Sequence, residues 1–339
     1  MQFRLSNICL SFDYELFFGN ESGTVEQCLI YPTNKIKTLL VEYDVECIFF
    51  VDALYLLRLS REQAPSAVRD YKMICEQLRE LYKIGVKIEL HIHTHWLDAT
   101  YDEFTNTWSF RDLSRYRLHA LSSDSDDPNS MTKVFSDAKH QLMGIINPLD
   151  PKYSPAMFRA GGWCLEPFDR IRDVMAENEV FIDSSVAHDF SLVSVAHDVN
   201  FRGFPEKNQW NFRYNPREQD DRGPFTERVI ASCRMRLLTY RIIKYCDITY
   251  WLSRKSKTKF GDGSTIKAEP IRKTISAKTT LLMNTDEFGF KILKLVAKRH
   301  AYRVSFDYEK DKLMTIGHPK LMSEYSMHQL TSFLRKCRK

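Results

Sequence analysis

The first apolar run, Ile8-Cys9-Leu10-Ser11-Phe12, is short and nearly continuous, the pattern of a strand buried on both faces. Asp13-Tyr14-Glu15 follows it. From Thr33 to Tyr43 the positions Ile36, Leu39, Leu40 and Tyr43 recur at helical spacing. Cys47-Ile48-Phe49-Phe50-Val51 is a second buried strand, ended by Asp52. Helical spacing returns from about Ala67 to Lys83 and stops at Gly85, a residue suited to the turn that ends helices. Val86-Lys87-Ile88-Glu89-Leu90 then reads as a third strand, and His91-Ile92-His93-Thr94-His95 follows directly.

An alternation of strands and helices predicts parallel pairing through right-handed crossovers, hence a parallel barrel or a doubly wound sheet. In both architectures chemistry collects at the C-terminal ends of the strands. Asp13, Glu15 and the histidines at 91–95 all stand at such ends.

Further along, residues 97–128 read as a long loop over the active face, rich in Asp, Ser, Thr and Trp. Met131–Ile145 is helical, Met157-Phe158-Arg159 is a strand entering Ala160-Gly161-Gly162-Trp163, Pro167–Glu177 is helical, and Val180–Asp183 is a strand. Residues 188–225 read as loops. Val229–Leu252 is amphipathic and basic, with Arg234, Arg236, Arg241 and Lys244 among Leu, Ile, Tyr and Trp251. It is expected as a barrel helix with its arginines outward, peripheral contact with an anionic membrane being the other reading. A polar break through Gly261-Asp262-Gly263 leads to a helix over Asp286–His300, strands at Tyr302–Phe306 and Leu313–Ile316, the sequence Gly317-His318-Pro319-Lys320, and a final helix over Met327–Arg335.

The chain has 339 residues, 43% hydrophobic and 27% charged, enough for a large core. Its net charge of +5, from 49 basic and 44 acidic residues, is too small to specify nucleic acid. No base-stacking motif or dense basic stripe adds to it, so no nucleic-acid partner is expected. The eight cysteines are scattered without a C-x-x-C pair, as free thiols in a reducing compartment would be. There is no signal-peptide pattern, and no run reaches the roughly 18 apolar residues of a membrane span, so a cytoplasmic location is expected.

The candidate chemistry lies in four places. Imidazole is a common metal ligand, and three of ten histidines fall within residues 91–95. If the backbone stays extended, all three share one face; if it turns, His91 and His95 remain neighbours. Either way two imidazoles reach one ion. Asp13 and Glu15, two residues apart, share a face with Tyr14 turned away, and their repulsion calls for a cation, metal or arginine. Arg159 supplies a guanidinium able to grip a carboxylate through two hydrogen bonds, beside glycines that allow close approach. His318 stands at the end of the last strand, placed as a general acid.

The order Phe12-Asp13-Tyr14-Glu15, then His91-x-x-x-His95, then Arg159-x-Gly161-x-Trp163, then His318, resembles the polysaccharide deacetylase family, the NodB-homology group of carbohydrate esterases. The resemblance runs from the first strand to the last, and the stretches FDYELFFG and HPK look like its surface-polysaccharide biosynthesis branch. It implies an α/β fold, a distorted (β/α)7 barrel, forming a single catalytic domain over 1–339 with loop insertions at 97–128 and 188–265. It implies Asp13 as base, Glu15, His91 and His95 as metal ligands, Arg159 as the residue that orients the base, and His318 as the acid that protonates the leaving group. His93 becomes an extra supporting residue, and Trp96 and Trp163 candidates for contact with a sugar ring. The family's usual Pro-Tyr after the arginine is replaced here by Ala-Gly-Gly-Trp.

The implied cofactor is a divalent ion, zinc foremost, with cobalt, nickel, manganese and iron compatible with the same donors. The implied activity is metal-dependent removal of an N-acyl group, N-acetyl foremost, from an amino sugar of a surface polysaccharide or its precursor. The alternatives are a deformylase or other C–N hydrolase acting on a lipid-linked or small cyclic amide, and an inactive glycan-binding member.

Overall fold

The structure is a computed structural model that describes residues 3–112, 117–124, 126–194, 197–246, 257–265 and 278–338. The chain begins as expected. Strand β1 (Ile8–Tyr14) is buried along its whole length, so both faces of its apolar run are covered. Helix α1 (Tyr31–Tyr43) returns the chain to β2 (Glu46–Asp52), and α2 (Ala53–Leu59) and α3 (Pro65–Lys83) return it to β3 (Lys87–Ile92). A hairpin follows, β4 (Thr100–Asp102) and β5 (Thr107–Ser109). Then come α4 (Met131–Ile146), β6 (Met157–Ala160), α5 (Asp169–Glu177) and β7 (Ile182–Asp183).

The pair β8 (Ser191–Val193) and β9 (Asp198–Asn200) precedes β10 (Gln209–Phe212) and β11 (Phe225–Arg228). The chain then runs through β12 (Ser232–Arg236), α6 (Leu237–Cys246), β13 (Lys278–Leu282), α7 (Phe290–Arg303), β14 (Leu313–Met314) and α8 (Glu324–Cys337).

Eight strands form one sheet in the order β10-β11-β7-β6-β3-β2-β1-β14, parallel except for β10 against β11. The sheet curls into a half-barrel within a mixed α/β fold. Just past β11, Ile230 bridges both Ala187 and Met314 in parallel fashion. The N–H of Ile230 donates to the Val186 carbonyl, and that of Ala231 to the Met314 carbonyl, both at 2.8 Å. Register aligns the strand ends: Asp52 pairs with His91, and His91 with Arg159, one row across three strands.

Four stretches depart from their sequence patterns. Residues 188–225, read as loops, also hold β8, β9 and β10, the last an edge strand of the main sheet, because Trp210 and Phe212 alternate inward. Residues 229–252 do not form one helix. Ser232, Cys233 and Met235 are buried while Arg234 and Arg236 are exposed, a period of two that makes 232–236 a strand paired with β13. The helix begins only at Leu237, and residues 247–252 lie outside the described residues. Tyr302–Phe306 is not a strand, because α7 carries its buried face on through His300 and Ala301 to Arg303. That helix begins at Phe290 rather than Asp286, which leaves Asp286 in a turn. Within 97–128 the β4–β5 hairpin packs inward: Trp108 is buried against Trp96, ring centres 5.4 Å apart.

Cysteines 9, 28, 47, 75, 164, 233 and 337 are free and buried. No described helix is long and apolar enough to cross a membrane.

Candidate active site

Strand β1 ends with its two acids on one side. Tyr14 points the other way, its hydroxyl donating to Gln77 at 2.9 Å within the core. The Asp13 N–H is held by the Gly317 carbonyl at 2.9 Å, which ties the end of β1 to the turn carrying His318.

Strand β3 remains extended through His93, and the chain then tightens into a 3-10 turn at Thr94–Asp98. Alternation therefore places His91 and His93 on one side. His91 Nε2 lies 3.1 Å from Glu15 Oε2, and His93 Nδ1 lies 3.3 Å from the same oxygen. Glu15, His91 and His93 form the compact donor group among the described residues. The tight turn leaves His95 outside this trio but beside it, its ring centre 5.3 Å from that of His93. Its ring packs against Phe18 and Phe110, with centres 4.2 and 4.8 Å apart. Burial and the neighbouring His93 push its pKa well below the usual imidazole value.

An acceptor orients His91, and a second carboxylate contacts His93. His91 Nδ1 sits 2.7 Å from the Arg159 carbonyl, which fixes a proton there and turns Nε2 to Glu15. His93 Nδ1, the nitrogen that faces Glu15, also lies 3.2 Å from Asp52 Oδ2, the oxygen that accepts from Trp96 Nε1 at 2.6 Å. One nitrogen cannot both donate to Asp52 and bind an ion, so as a ligand His93 would carry its proton on Nε2. Trp96 is fully buried with its ring tilted against Tyr55, centres 4.6 Å apart, so it supports the histidines from beneath and does not line their cavity. Gly161 stands against this group: an added Cβ would come 2.3 Å from the Ile92 carbonyl and 2.8 Å from His93 Cδ2.

Arg159 is fully buried inside the curled sheet. Its Nη1 donates to Asp13 Oδ1 at 2.5 Å, Nε to the Ser184 carbonyl at 2.8 Å, and Nη2 to Ser11 Oγ at 3.0 Å. The guanidinium is thus fixed on three sides with one carboxylate as its ion partner.

Across the cavity, His318 Nε2 faces Asp13 Oδ2 at 3.7 Å and Glu15 Oε1 at 3.9 Å. Its Nδ1 is bonded to Asp286 Oδ2 at 2.9 Å, and the same oxygen accepts the His318 N–H. Burial pushes the imidazole down, but Asp286, Asp13 and Glu15 outweigh it and raise its pKa. The next turn brings in Lys320, whose Nζ donates to Glu15 Oε1 at 2.8 Å.

These groups surround a cavity of about 300 Å³, with Phe17, Phe18 and Trp163 as aromatic walls. Gly162 and Trp163 both adopt φ 58°. That left-handed conformation suits glycine and strains tryptophan, and Trp163 is held half-buried against Phe190. His197 lines the same cavity from the β8–β9 loop; burial first, then His93, brings its pKa down to about 4, so it is neutral at pH 7.

The donor set fits a divalent ion. Ligand atoms around a tetrahedral ion at about 2.0–2.1 Å stand about 3.4 Å apart, close to the 3.1 and 3.3 Å found here. Electrostatics agree. Burial pushes Glu15 up, but Lys320, His93 and His91 outweigh it and hold its pKa well below the usual value. Burial pushes His91 down, but Glu15, Asp13 and Asp52 raise it to about 9. A field that favours a proton on His91 also favours a cation beside it.

Sequence reasoning named Asp13, Glu15, His91, His93, Arg159, Trp163 and His318, which the fold gathers here. It did not assign roles to Asp52, Asp286, His197 or Lys320. Asp52 carried a usable signal, since it ends β2 on the same sheet edge as Asp13 and His91. Asp286 and His197 belong to loops whose partners are set only by tertiary folding.

The sequence matches no family model and no curated protein. Among solved structures, one from Mycobacterium smegmatis described as a candidate polysaccharide deacetylase is similar over 98% of this chain and 84% of that one, at 12% identity and a TM-score of 0.46.

Proposed function

We propose that this chain is a metal-dependent amide hydrolase that removes an N-acyl group, acetyl foremost, from an amino sugar of a surface polysaccharide or its precursor. The observation that carries the reading is the convergence on one cavity of a Glu15–His91–His93 donor set, an Asp13–Arg159 ion pair and a His318–Asp286 pair. In this reading the ring runs through seven parallel strands, β1, β2, β3, β6, β7, β11 and β14, with Ile230 as its closing residue, a distorted (β/α)7 barrel forming one catalytic domain over 1–339.

Glu15, His91 and His93 would hold the ion, with zinc the first choice for two imidazoles and a carboxylate. The bound ion would supply Lewis-acid polarisation of the acyl carbonyl and acidify a water. Asp13 accepts the proton as water oxygen adds to the acyl carbon. Arg159 keeps Asp13 ionised and fixed in direction. His318 donates its Nε2 proton to the amide nitrogen as the C–N bond breaks, releasing a carboxylic acid and the free amino sugar. Asp286 holds the His318 ring with Nε2 toward the cavity. Trp163, Phe17 and Phe18 offer apolar faces to a sugar ring.

The test is direct. Purified protein with its ion content measured is incubated with N-acetylated glycans and sugar nucleotides, and acetate release is followed by mass spectrometry. Release abolished by Asp13→Asn supports the reading. Glycan binding without release by metal-loaded wild type would leave an inactive glycan-binding member in its place.

A lipid-linked substrate is the second reading, favoured by α6. Leu238, Ile242 and Tyr245 recur at i, i+4 and i+7 and are 70, 54 and 74% exposed, with Arg234, Arg236 and Arg241 exposed nearby. Lys244 of that helix lies 3.6 Å from Glu287, next to the Asp286 that holds His318. An apolar stripe with basic flanks beside the cavity suits an anionic membrane surface. Flotation with phosphatidylserine vesicles supports this version, and absence of binding removes it.

A further inference from the structure

One buried charge of the cavity has no part in that chemistry. Lys320 is 4% exposed and lines the cavity wall. Its ammonium has three donors and no acceptor. Two of them are committed, to Glu15 Oε1 at 2.8 Å and to the Leu16 carbonyl at 2.5 Å. The charge also stands 5.0 and 4.7 Å from the ring centres of Phe17 and Phe18, a favourable setting for a cation. Its backbone is held as well, since the Gly261 N–H donates to the Lys320 carbonyl at 3.0 Å.

A fixed positive charge beside a candidate cation site opposes cation binding. What it gives in exchange lies in how Glu15 divides its oxygens. Oε2 faces His91 and His93, and Oε1 is taken by Lys320. A carboxylate free to use both oxygens can occupy two coordination positions of one ion, and a hydrolytic site needs a position left open for water or substrate.

Resting on the metal reading, we infer that Lys320 is a positioning residue that holds Glu15 Oε1 so that only Oε2 turns to the ion. Glu15 is thereby restricted to one-oxygen ligation, and the ion's cavity side stays open. The arrangement exchanges metal affinity for an open coordination position. A lysine that served only to stabilise the fold would have the opposite signature: losing it would loosen Glu15 and weaken metal binding.

The experiment compares wild type with Lys320→Met, Lys320→Gln and Lys320→Arg, each checked for folding by circular dichroism. Gln provides a neutral side chain that still donates to Glu15 and Leu16, in case Met misfolds. Zinc affinity of the metal-stripped proteins is measured by competition with a chromophoric chelator, and coordination by X-ray absorption of the zinc-loaded forms. The neutral variants are expected to bind zinc about tenfold tighter or more. In Lys320→Met an additional oxygen at bonding distance and reduced hydrolysis are expected, and Lys320→Arg should stay within a few-fold of wild type. Neutral variants that bind zinc equally or more weakly, with unchanged coordination in Lys320→Met, overturn the inference while leaving the metal reading in place. A wild type that takes up no stoichiometric ion overturns the metal reading, and this inference with it.

Discussion

Arg159 Nη1 lies 2.5 Å from Asp13 Oδ1, a buried ion pair that joins strands whose residues stand 146 positions apart in the chain. Neither side chain has more than a trace of solvent contact, so removing one partner leaves the other charge uncompensated. Arg159→Met is expected to destabilise the fold by about 3–5 kcal/mol, read by urea unfolding, and to abolish hydrolysis. Arg159→Lys restores a charge but not the three-sided grip on Asp13, Ser11 and the Ser184 carbonyl, and should recover stability more than activity.

His93 and His95 separate by their surroundings. His93→Ala should lose stoichiometric zinc, because it removes a donor 3.3 Å from Glu15 Oε2. His95→Ala should retain zinc and lose stability, because that ring packs against Phe18 and Phe110. Elemental analysis after dialysis distinguishes them, and the reverse pattern would reassign the ligands.

Asp286 acts through His318. With its carboxylate replaced in Asp286→Asn, the imidazole loses the partner that fixes its ring and favours its protonated form. The turnover number should fall about 10–100-fold with little change in KM, since general acid catalysis is worth about 10²–10⁴ and part of it survives in a misaimed ring. Steady-state kinetics on the preferred substrate check this.

Glu89 makes the stability pH-dependent from outside the cavity. Burial raises its pKa from 4.5 to about 7, against the N–H bonds of Met157 and Ala156 and the charges of Lys87 and Arg228. The folded carboxyl therefore binds a proton that the unfolded chain has released, and stability falls as pH rises from about 4.5 to about 7. Glu89→Gln keeps an acceptor for those N–H groups and removes the ionisation penalty. It should be more stable than wild type at pH 8, by about 3 kcal/mol at most, with the gain gone near pH 4. Urea titrations at the two pH values measure the difference.

The legible parts of the sequence were those fixed by local pattern. β1, β2 and β3 are continuous apolar runs with chemistry at their ends, so Asp13, Glu15 and the histidines could be placed on one edge before any fold was known. Which histidines pair was not legible. It depends on extension ending at His93, and nothing in Ile92-His93-Thr94-His95 marks that point. The strand at Ser232–Arg236 was hidden because its two-residue alternation leads straight into the helical spacing of α6. Lys320 and Asp286 gain their roles from contacts across 305 and 32 positions, which no local periodicity reports.

Ile230 bears on how the two ends of the curled sheet are held together. The side of the sheet holding Arg159 and Trp163 and the side holding Asp13 and His318 are joined across the interior by the Arg159–Asp13 ion pair, and their backbones meet in two ways. One is the long β1–β2–β3–β6 ladder, and the other is the short seam where Ile230 and Ala231 bond Val186 and Met314. A seam with so few hydrogen bonds is where local opening comes most easily. The ladder then serves as a spine and the seam as a clasp. The row of Asp52, His91 and Arg159 belongs wholly to the spine, so its register does not depend on the clasp.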